Sequence, residues 1–468
     1  MSSTVEHPTE LRRVLGPKLL LLFIVGDILG TGVYALTGQV AAEVGGAAWL
    51  PFLIAFGVAL LTALSYLELV TKYPQAAGAA LYVHKAFGIH FLTFMVAFTV
   101  MCSGITSAST ASRAFAANLA VGIGWEASSF QIMLIALGFM LLIAAINLRG
   151  VSEGVKTNVV LTIIELSGLL LVILVGFWAI VGGDADWGRV VAFETPDDKH
   201  VFLAVTTATS LAFFAMVGFE DAVNMAEECH EPNRIFPKIM LTGLGLTGLI
   251  YILVSVCAVA LVPVGDLAAN DTPLVTVVER GAPGIPIDDI MPFISMFAVA
   301  NSALINMLMA SRLLYGMAKQ GVIPTTLAKV SSRRTPWVSI AFTTGLALAL
   351  IAYVSHANPD AVAVLGGTTS LLLLAVFAVV NAAVLVLRKD RVDHDHFRTR
   401  TPVALLGVVT CAYLVTPLSG RPWAQYEVAG ILIVIGLALS VPMYLLSRRH
   451  GEPLQVKAPD DLPPHDIP

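Results

Sequence analysis

"VGDILGTGVY", residues 25–34, interrupts an otherwise apolar stretch with Gly26, Gly30, Gly32 and Asp27. Glycine weakens a helix, and a carboxylate is costly in hydrocarbon. A segment that only had to cross a bilayer would gain from neither. The surrounding run, 17–41, is nevertheless long and apolar enough to cross one.

The rest of the chain reads the same way. Of 468 residues, 57% are hydrophobic and 13% charged, against about 25% charged in ordinary globular domains. Mean hydropathy is +0.83. The composition is that of an all-α polytopic membrane protein, since only helices and closed barrels satisfy their backbone in lipid. A net charge of −5, spread along the chain, carries no nucleic-acid footprint. Cys102, Cys229, Cys257 and Cys411 show no paired spacing, so neither disulfides nor a metal site is expected. No cofactor motif is present, and no cleavable signal peptide is read at the N-terminus.

Twelve transmembrane helices are expected, near 17–41, 47–71, 91–121, 129–149, 157–182, 201–226, 237–263, 287–318, 337–355, 360–388, 402–418 and 426–447. Lys and Arg orient them. With the N-terminus inside, 22 of the 27 basic residues fall in cytoplasmic segments. Arg189, Lys199, Arg280 and Arg421 fall outside, and Arg113 lies within a span. Both termini are therefore expected in the cytosol, with the chain multi-pass in the cell membrane. The loop "KDRVDHDHFRTR" (389–400) is the densest basic patch and reads as an orientation anchor. Segment 1–16 reads as a cytoplasmic N-terminal stretch, and the proline-rich, acidic tail 448–468 as disordered.

The opening stretch has a counterpart. In the sixth span, "FFAMVGFEDAVNMAEE" (213–228) breaks apolar sequence with Gly218, Glu220 and Asp221. Five spans separate the two interruptions. Five is odd, so a repeated five-helix unit inserts upside down the second time. The expected core is a 5+5 inverted repeat over 17–388, with repeat one at 17–182 and repeat two at 201–388. Peripheral helices 11 and 12 follow over 402–447. Paired broken helices in inverted halves point to a transport site. Where a helix unwinds, free N–H groups suit a carboxylate and free C=O groups an ammonium, so a zwitterionic amino acid fits both. The competing reading is a glycine face for close helix packing, whose small-xxx-small spacing Gly26 and Gly30 satisfy.

Four motifs in order resemble the amino acid–polyamine–organocation superfamily, closest to bacterial amino acid permeases and cationic amino acid transporters. They are "GDILGTGVY", "SYLELVTKYPQAAGAALYVHKAFG" (65–88), "FFAMVGFEDAVNMAEECHEPNRIFPKIM" (213–240) and "NMLMASRLLYGMAKQGVIP" (306–324). The resemblance implies alternating access around a midplane site. It implies that amides of Gly30, Thr31 and Gly32 hold a substrate carboxylate. Carbonyls near Gly26, Asp27 and Ile28, and from Phe213 through Ala215 to Val217 beside Gly218, would receive the ammonium. Phe214 matches a position that covers substrate, and Glu220 a common glutamate of the sixth span. Two departures stand out. Asp27 occupies a position that is often small or neutral. Glu165 aligns with a fifth-span lysine that some proton-coupled relatives use, so a lysine mechanism does not carry over.

An intramembrane carboxylate commonly marks a transport pathway, so Glu165, Asp27 or Glu220 is a candidate carrier of a coupled proton. Each could instead cap free backbone amides. Asp27 could equally contact a cationic substrate group. Arg113 could pair with an acidic group or snorkel outward, a structural role in either case. Glu68, Glu227 and Glu228, with Arg234, Lys238 and Arg312, are expected to form an inner gate network. Asn301, Ser302 and Asn306 could line a path or join helices. The resulting expectation is a secondary active transporter, not an enzyme, for an amino acid or related small amine, with proton coupling. The alternatives are an amino acid or polyamine exchanger, or a membrane sensor with little flux.

Overall fold

A computed structural model describes residues 16–74, 78–149, 154–183, 185–196, 199–229, 231–283, 289–319, 323–332, 335–358 and 360–450. The first span is two helices, α1 (Pro17–Ile28) and α2 (Thr31–Val44), separated by Leu29 and Gly30. It is followed by α3 (Trp49–Lys72), α4 (Gly78–Phe87), α5 (His90–Gly122), α6 (Ser129–Arg149) and α7 (Gly154–Gly182). The chain continues through α8 (Trp187–Val190), α9 (Val201–Ala212), α10 (Pro232–Leu261), α11 (Val264–Ala268) and α12 (Pro273–Gly281). The last helices are α13 (Met291–Lys319), α14 (Trp337–Ala357), α15 (Ala361–Leu387), α16 (Thr401–Val415) and α17 (Trp423–His450). Among the described residues the only β pairing is an isolated bridge between Gly45 and Phe193.

The long helices are apolar nearly all round, the pattern of helices that meet protein on one face and lipid on the other. Their starts follow local chemistry. Pro17, Pro232, Pro273 and Pro402 occupy first-turn positions, where a missing N–H costs nothing.

Among the described residues eleven helical segments are long and apolar enough to span a membrane, counting α1 with α2 as one and α9 with the turn after it as another. Of the twelve expected spans, one is short. The eleventh predicted span, 402–418, is the 15-residue α16, about 22 Å long at 1.5 Å per residue. Apolar composition continues past Val415, but Pro417 cannot extend the helix, and Thr416 before it is extended. The connections expected as loops also contain helices. α11 lies against α2 so closely that a Cβ on Gly38 would fall 2.1 Å from the Leu267 carbonyl oxygen, and α8 lies against the short turn after α2, where a Cβ on Gly46 would fall 1.7 Å from the Arg189 carbonyl oxygen.

Because α1 and α9 begin crossings five apart, they enter the bundle from opposite faces. The face carrying α1's start also carries the α3–α4 and α15–α16 connections; the far face carries α8, α11 and α12. Helices α5 and α13 pack along much of their lengths, with α15 beside α5 and α10 beside α3. Of the terminal segments, 1–15 and 451–468 lie outside the described residues, and α17 extends to His450.

Candidate functional site

The two interruptions meet. A Cβ on Gly32 would sit 2.3 Å from Ala215 Cα, and one on Gly218 would sit 2.7 Å from the Asp27 carbonyl. Gly218 also has φ +124°, a conformation L side chains rarely adopt. The glycines thus let two broken backbones cross in contact.

Each break leaves main-chain groups without neighbours. At the start of α2, the amides of Gly30, Thr31 and Gly32 have no acceptor among the described residues. Helix starts leave such donors. In the sixth span, α9 tightens into a 3-10 turn at Phe213–Met216, and Val217 becomes extended. The carbonyls of Ala215 and Val217 have no donor among the described residues. Free donors and free acceptors therefore lie on the two backbones that cross.

Between them lies a cavity of about 20 Å³, room for about one water. Its lining includes Gly30, Thr31, Gly32, Phe214, Val217 and Gly218. Asp27 and Asp221 open onto it, with Ser107, Ser302 and Asn306 from α5 and α13. Thr31 is buried with its hydroxyl unpartnered, and Asp27 Oδ2 is unpartnered too. A second small cavity, toward the face of the termini, shares Val217, Asp221 and Asn306 and adds Glu220. Among the described residues no lysine or arginine lines either cavity. A larger one of about 230 Å³ opens toward the far face, lined by Gln39, Glu43, Asp360 and Arg421 among others.

Not every predicted residue lines the central cavity. Gly26 is a packing glycine, since a Cβ there would fall 1.9 Å from Thr162 Oγ1 of α7. Ala215 presents its backbone to Gly32. Phe213 turns away to pack edge-on against Phe377, with ring centroids 6.0 Å apart. Phe214 stays at the cavity, under Gly366 of α15. Within the opening stretch Gly26 and Gly32 sit in close packing, and Gly30 lies where the helix opens.

Among the carboxylates, Glu220 Oε2 accepts the Gly218 N–H at 2.9 Å, capping the break. Glu165 is fully buried on α7, and neither carboxyl oxygen has a hydrogen-bond partner among the described residues. It lies behind the first break. Tyr34 Oη donates to the Glu165 carbonyl at 2.6 Å, and Tyr251 Oη to the Ile28 carbonyl at 2.5 Å. The tyrosines escaped sequence reading because a lone hydroxyl in an apolar run carries no pattern, and Ser107 because it is one of many hydroxyls along α5. Asn301 does not line the cavity; Ser302 and Asn306 do.

Two expectations are corrected. Arg113 does not snorkel: it is buried and donates to Ser355 of α14 at 3.2 Å. Glu68 pairs with Arg388, a residue absent from the expected gate, while Arg234 reaches Glu231. The side chains of Glu227 and Glu228 lie outside the described residues.

An all-helical, multi-pass protein with two interrupted helices crossing over complementary main-chain groups belongs to the class of membrane transport proteins. A family model described as "Amino acid permease" matches residues 15–445, and the chain belongs to that family, which comprises permeases rather than enzymes. It is 25% identical to the branched-chain amino acid permease BcaP of Bacillus subtilis, over 95% of each chain. It is 28% identical to the methylthioribose transporter of the same organism, over 96% of each. It is 28% identical to human cationic amino acid transporter 4, over 75% of this chain and 56% of that one.

Proposed function

We propose that this chain is a secondary active transporter that carries an amino acid or related small amine across the cell membrane by alternating access, coupled to protons. The observation that carries the reading is the crossing of the two breaks, with free amides at Gly30–Gly32 on one backbone and free carbonyls at Ala215 and Val217 on the other. A zwitterion satisfies both sets at once. The relatives' names point the same way, two of them amino acid carriers.

In this reading the α2 amides and the Thr31 hydroxyl take the carboxylate. The ammonium goes to carbonyls of the sixth-span break, with Asp27 beside it. The Ile28 carbonyl, already bonded to Tyr251, is a weaker candidate than its neighbours. Phe214 covers the substrate. A cavity the size of one water must widen to admit an amino acid, so the helices around it part first, as alternating access requires. Repeats 17–182 and 201–388 are the moving halves. Both termini face the cytosol, following the Lys and Arg asymmetry. Glu165, unpartnered and away from the cavity, carries the proton.

A second reading follows from Asp27 and Asp221 on one cavity with no basic residue near: a substrate with a second amine, such as a cationic amino acid or polyamine. Uptake of a labelled amino-acid and polyamine panel by proteoliposomes, with and without an inward proton gradient, tests both. Gradient-stimulated uptake that Glu165→Gln abolishes while counterflow persists supports the proposal. Gradient-insensitive uptake removes the coupling, counterflow without net flux makes the chain an exchanger, and binding without flux a sensor.

A further inference from the structure

The helices after the ten-helix core are expected to be peripheral, yet the turn between α16 and α17 is wedged into that core. A Cβ on Gly420, where φ is +80°, would fall 2.2 Å from Thr207 Oγ1 of α9. The hydroxyls of Thr206 and Thr207 donate to the Ser419 carbonyl at 3.2 and 3.1 Å. One turn into α17, Gln425 fills the space over Gly367 of α15, where a Cβ would meet its Nε2 at 2.0 Å.

Arg421 sits at the centre of this wedge, 6% exposed. Its Nε donates to the Leu414 carbonyl at 2.6 Å. Nη1 donates to the Gly367 carbonyl and to Gln425 Oε1, both at 2.9 Å. Nη2 donates to Ser370 Oγ at 2.9 Å and to the Ser210 carbonyl at 3.4 Å. Ser370 Oγ donates in turn to the Ser210 carbonyl at 2.5 Å. A guanidinium has five N–H groups, and all five are used. It therefore has no donor left for an anion in the far-face cavity it borders. Its acceptors are three carbonyls, an amide and a hydroxyl, spread over α9, α15, α16 and α17. Such a fork fixes geometry in a way a lysine cannot.

Ser210 stands three residues before Phe213, where the sixth-span break begins. From this placement we infer that Arg421 is a positioning residue that ties the far half of the sixth span to the tenth and to the added helix pair, so that they move as one body. The brace holds the far-face cavity at its present width. Alternating access then requires these helices to swing together or the brace to open, and to this extent the inference rests on the proposed function.

The test needs no substrate, so it can fail or succeed independently of that function. A reporter, Ala363→Cys, is placed on the far-face cavity. It is labelled with a hydrophilic thiol reagent in nanodiscs, where both faces are open. The four described native cysteines are buried, and the chain without the reporter gives the background. Arg421→Gln loses charge-assisted bonds between α9 and α15, and the reporter is expected to label about tenfold faster, the shift one such bond supports. Arg421→Lys, with three donors and no fork, is expected to fall between. A merely structural loss lowers the melting temperature and leaves the folded protein labelling at the wild-type rate. That rate in Arg421→Gln, or full rescue by Arg421→Lys, overturns the inference. Should Arg421→Gln not fold, Ser370→Ala removes one receiving oxygen. Faster labelling in that variant supports the brace, and an unchanged rate overturns it.

Discussion

Gly32 of α2 and Ala215 of the sixth-span turn touch so closely that the glycine's missing Cβ would lie 2.3 Å from Ala215 Cα. The obstacle is backbone, which cannot rotate away as a side chain can. Gly32→Ala is therefore expected to push the breaks apart, at about 1–3 kcal/mol of overpacking. Uptake should fall by about 5- to 150-fold, since about 1.4 kcal/mol is a factor of ten. Gly57→Ala on α3, with nothing within 4 Å of its Cβ position, is the matched control and should transport normally. Equal uptake by the two variants, measured at equal membrane abundance, would show that the crossing is not tightly toleranced.

Glu68 and Arg388 form a bidentate pair at the face of the termini, both bonds 3.1 Å long. Their side chains are 4% and 12% exposed. Glu68 Oε2 also accepts the Thr399 N–H, and Arg388 reaches the Thr399 carbonyl and Thr401 hydroxyl. The pair thus fastens α3 to the end of α15 and to the basic loop after it. Truncating one partner leaves a buried charge, at a cost of about 3–5 kcal/mol. Glu68→Ala should unfold in detergent well below the wild-type temperature, whereas Glu68→Leu with Arg388→Met should recover much of the loss. A double variant as unstable as the sum of its parts argues that the two residues act separately.

The helical architecture and the place of both breaks were legible in sequence because each rests on a run of local choices. Apolar length marks a span, and Gly30 and Gly218 mark where the spans open. Which residues face the cavity was less legible. Phe213 and Phe214 are identical neighbours, and only the pitch of the 3-10 turn sends one to Phe377 and the other to the crossing. Arg421 read as an outward-facing loop charge because its acceptors, the Ser210, Gly367 and Leu414 carbonyls, are main-chain atoms of distant helices. Sequence spacing says nothing about carbonyls. Glu68 lies at the face of the termini, where the order of spans puts it, but its partner lies 320 positions away, and several basic residues competed for it.

At the corner between α4 and α5, the His84 and His90 rings lie 5.1 Å apart, and His84 Nδ1 faces Thr93 Oγ1 at 3.2 Å. Burial, then His90 and Lys85, holds the His84 imidazole below its ordinary value of 6.5. The folded protein thus binds this proton less readily than the unfolded chain. Its contribution to stability is complete above about pH 6.5 and is lost as pH falls through that value toward the lower folded one. The melting temperature should drop on acidification across this window, and His84→Gln should flatten the drop. A variant whose acid profile superimposes on the wild type would assign the transition to another group.

Tyr251 and Tyr34 hold the two sides of the Glu165 region, but their acceptors differ in what they have to lose. Ile28 is the last residue of α1, and the chain opens immediately after it, so no following turn supplies its carbonyl with an N–H. Tyr251 supplies the missing donor. The Glu165 carbonyl lies inside the long α7 helix, where the next turn satisfies it, and Tyr34 adds a second bond. Tyr251→Phe therefore strands a buried acceptor at the edge of the break, at about 1–3 kcal/mol, while Tyr34→Phe removes a surplus bond. The stranded Ile28 carbonyl also becomes free to receive an ammonium. Tyr251→Phe should lower the melting temperature and shift KM for uptake, and Tyr34→Phe should leave KM near the wild-type value. If both variants move KM alike, the hydroxyls act on Glu165 rather than on the α1 terminus, and the distinction between the two acceptors fails.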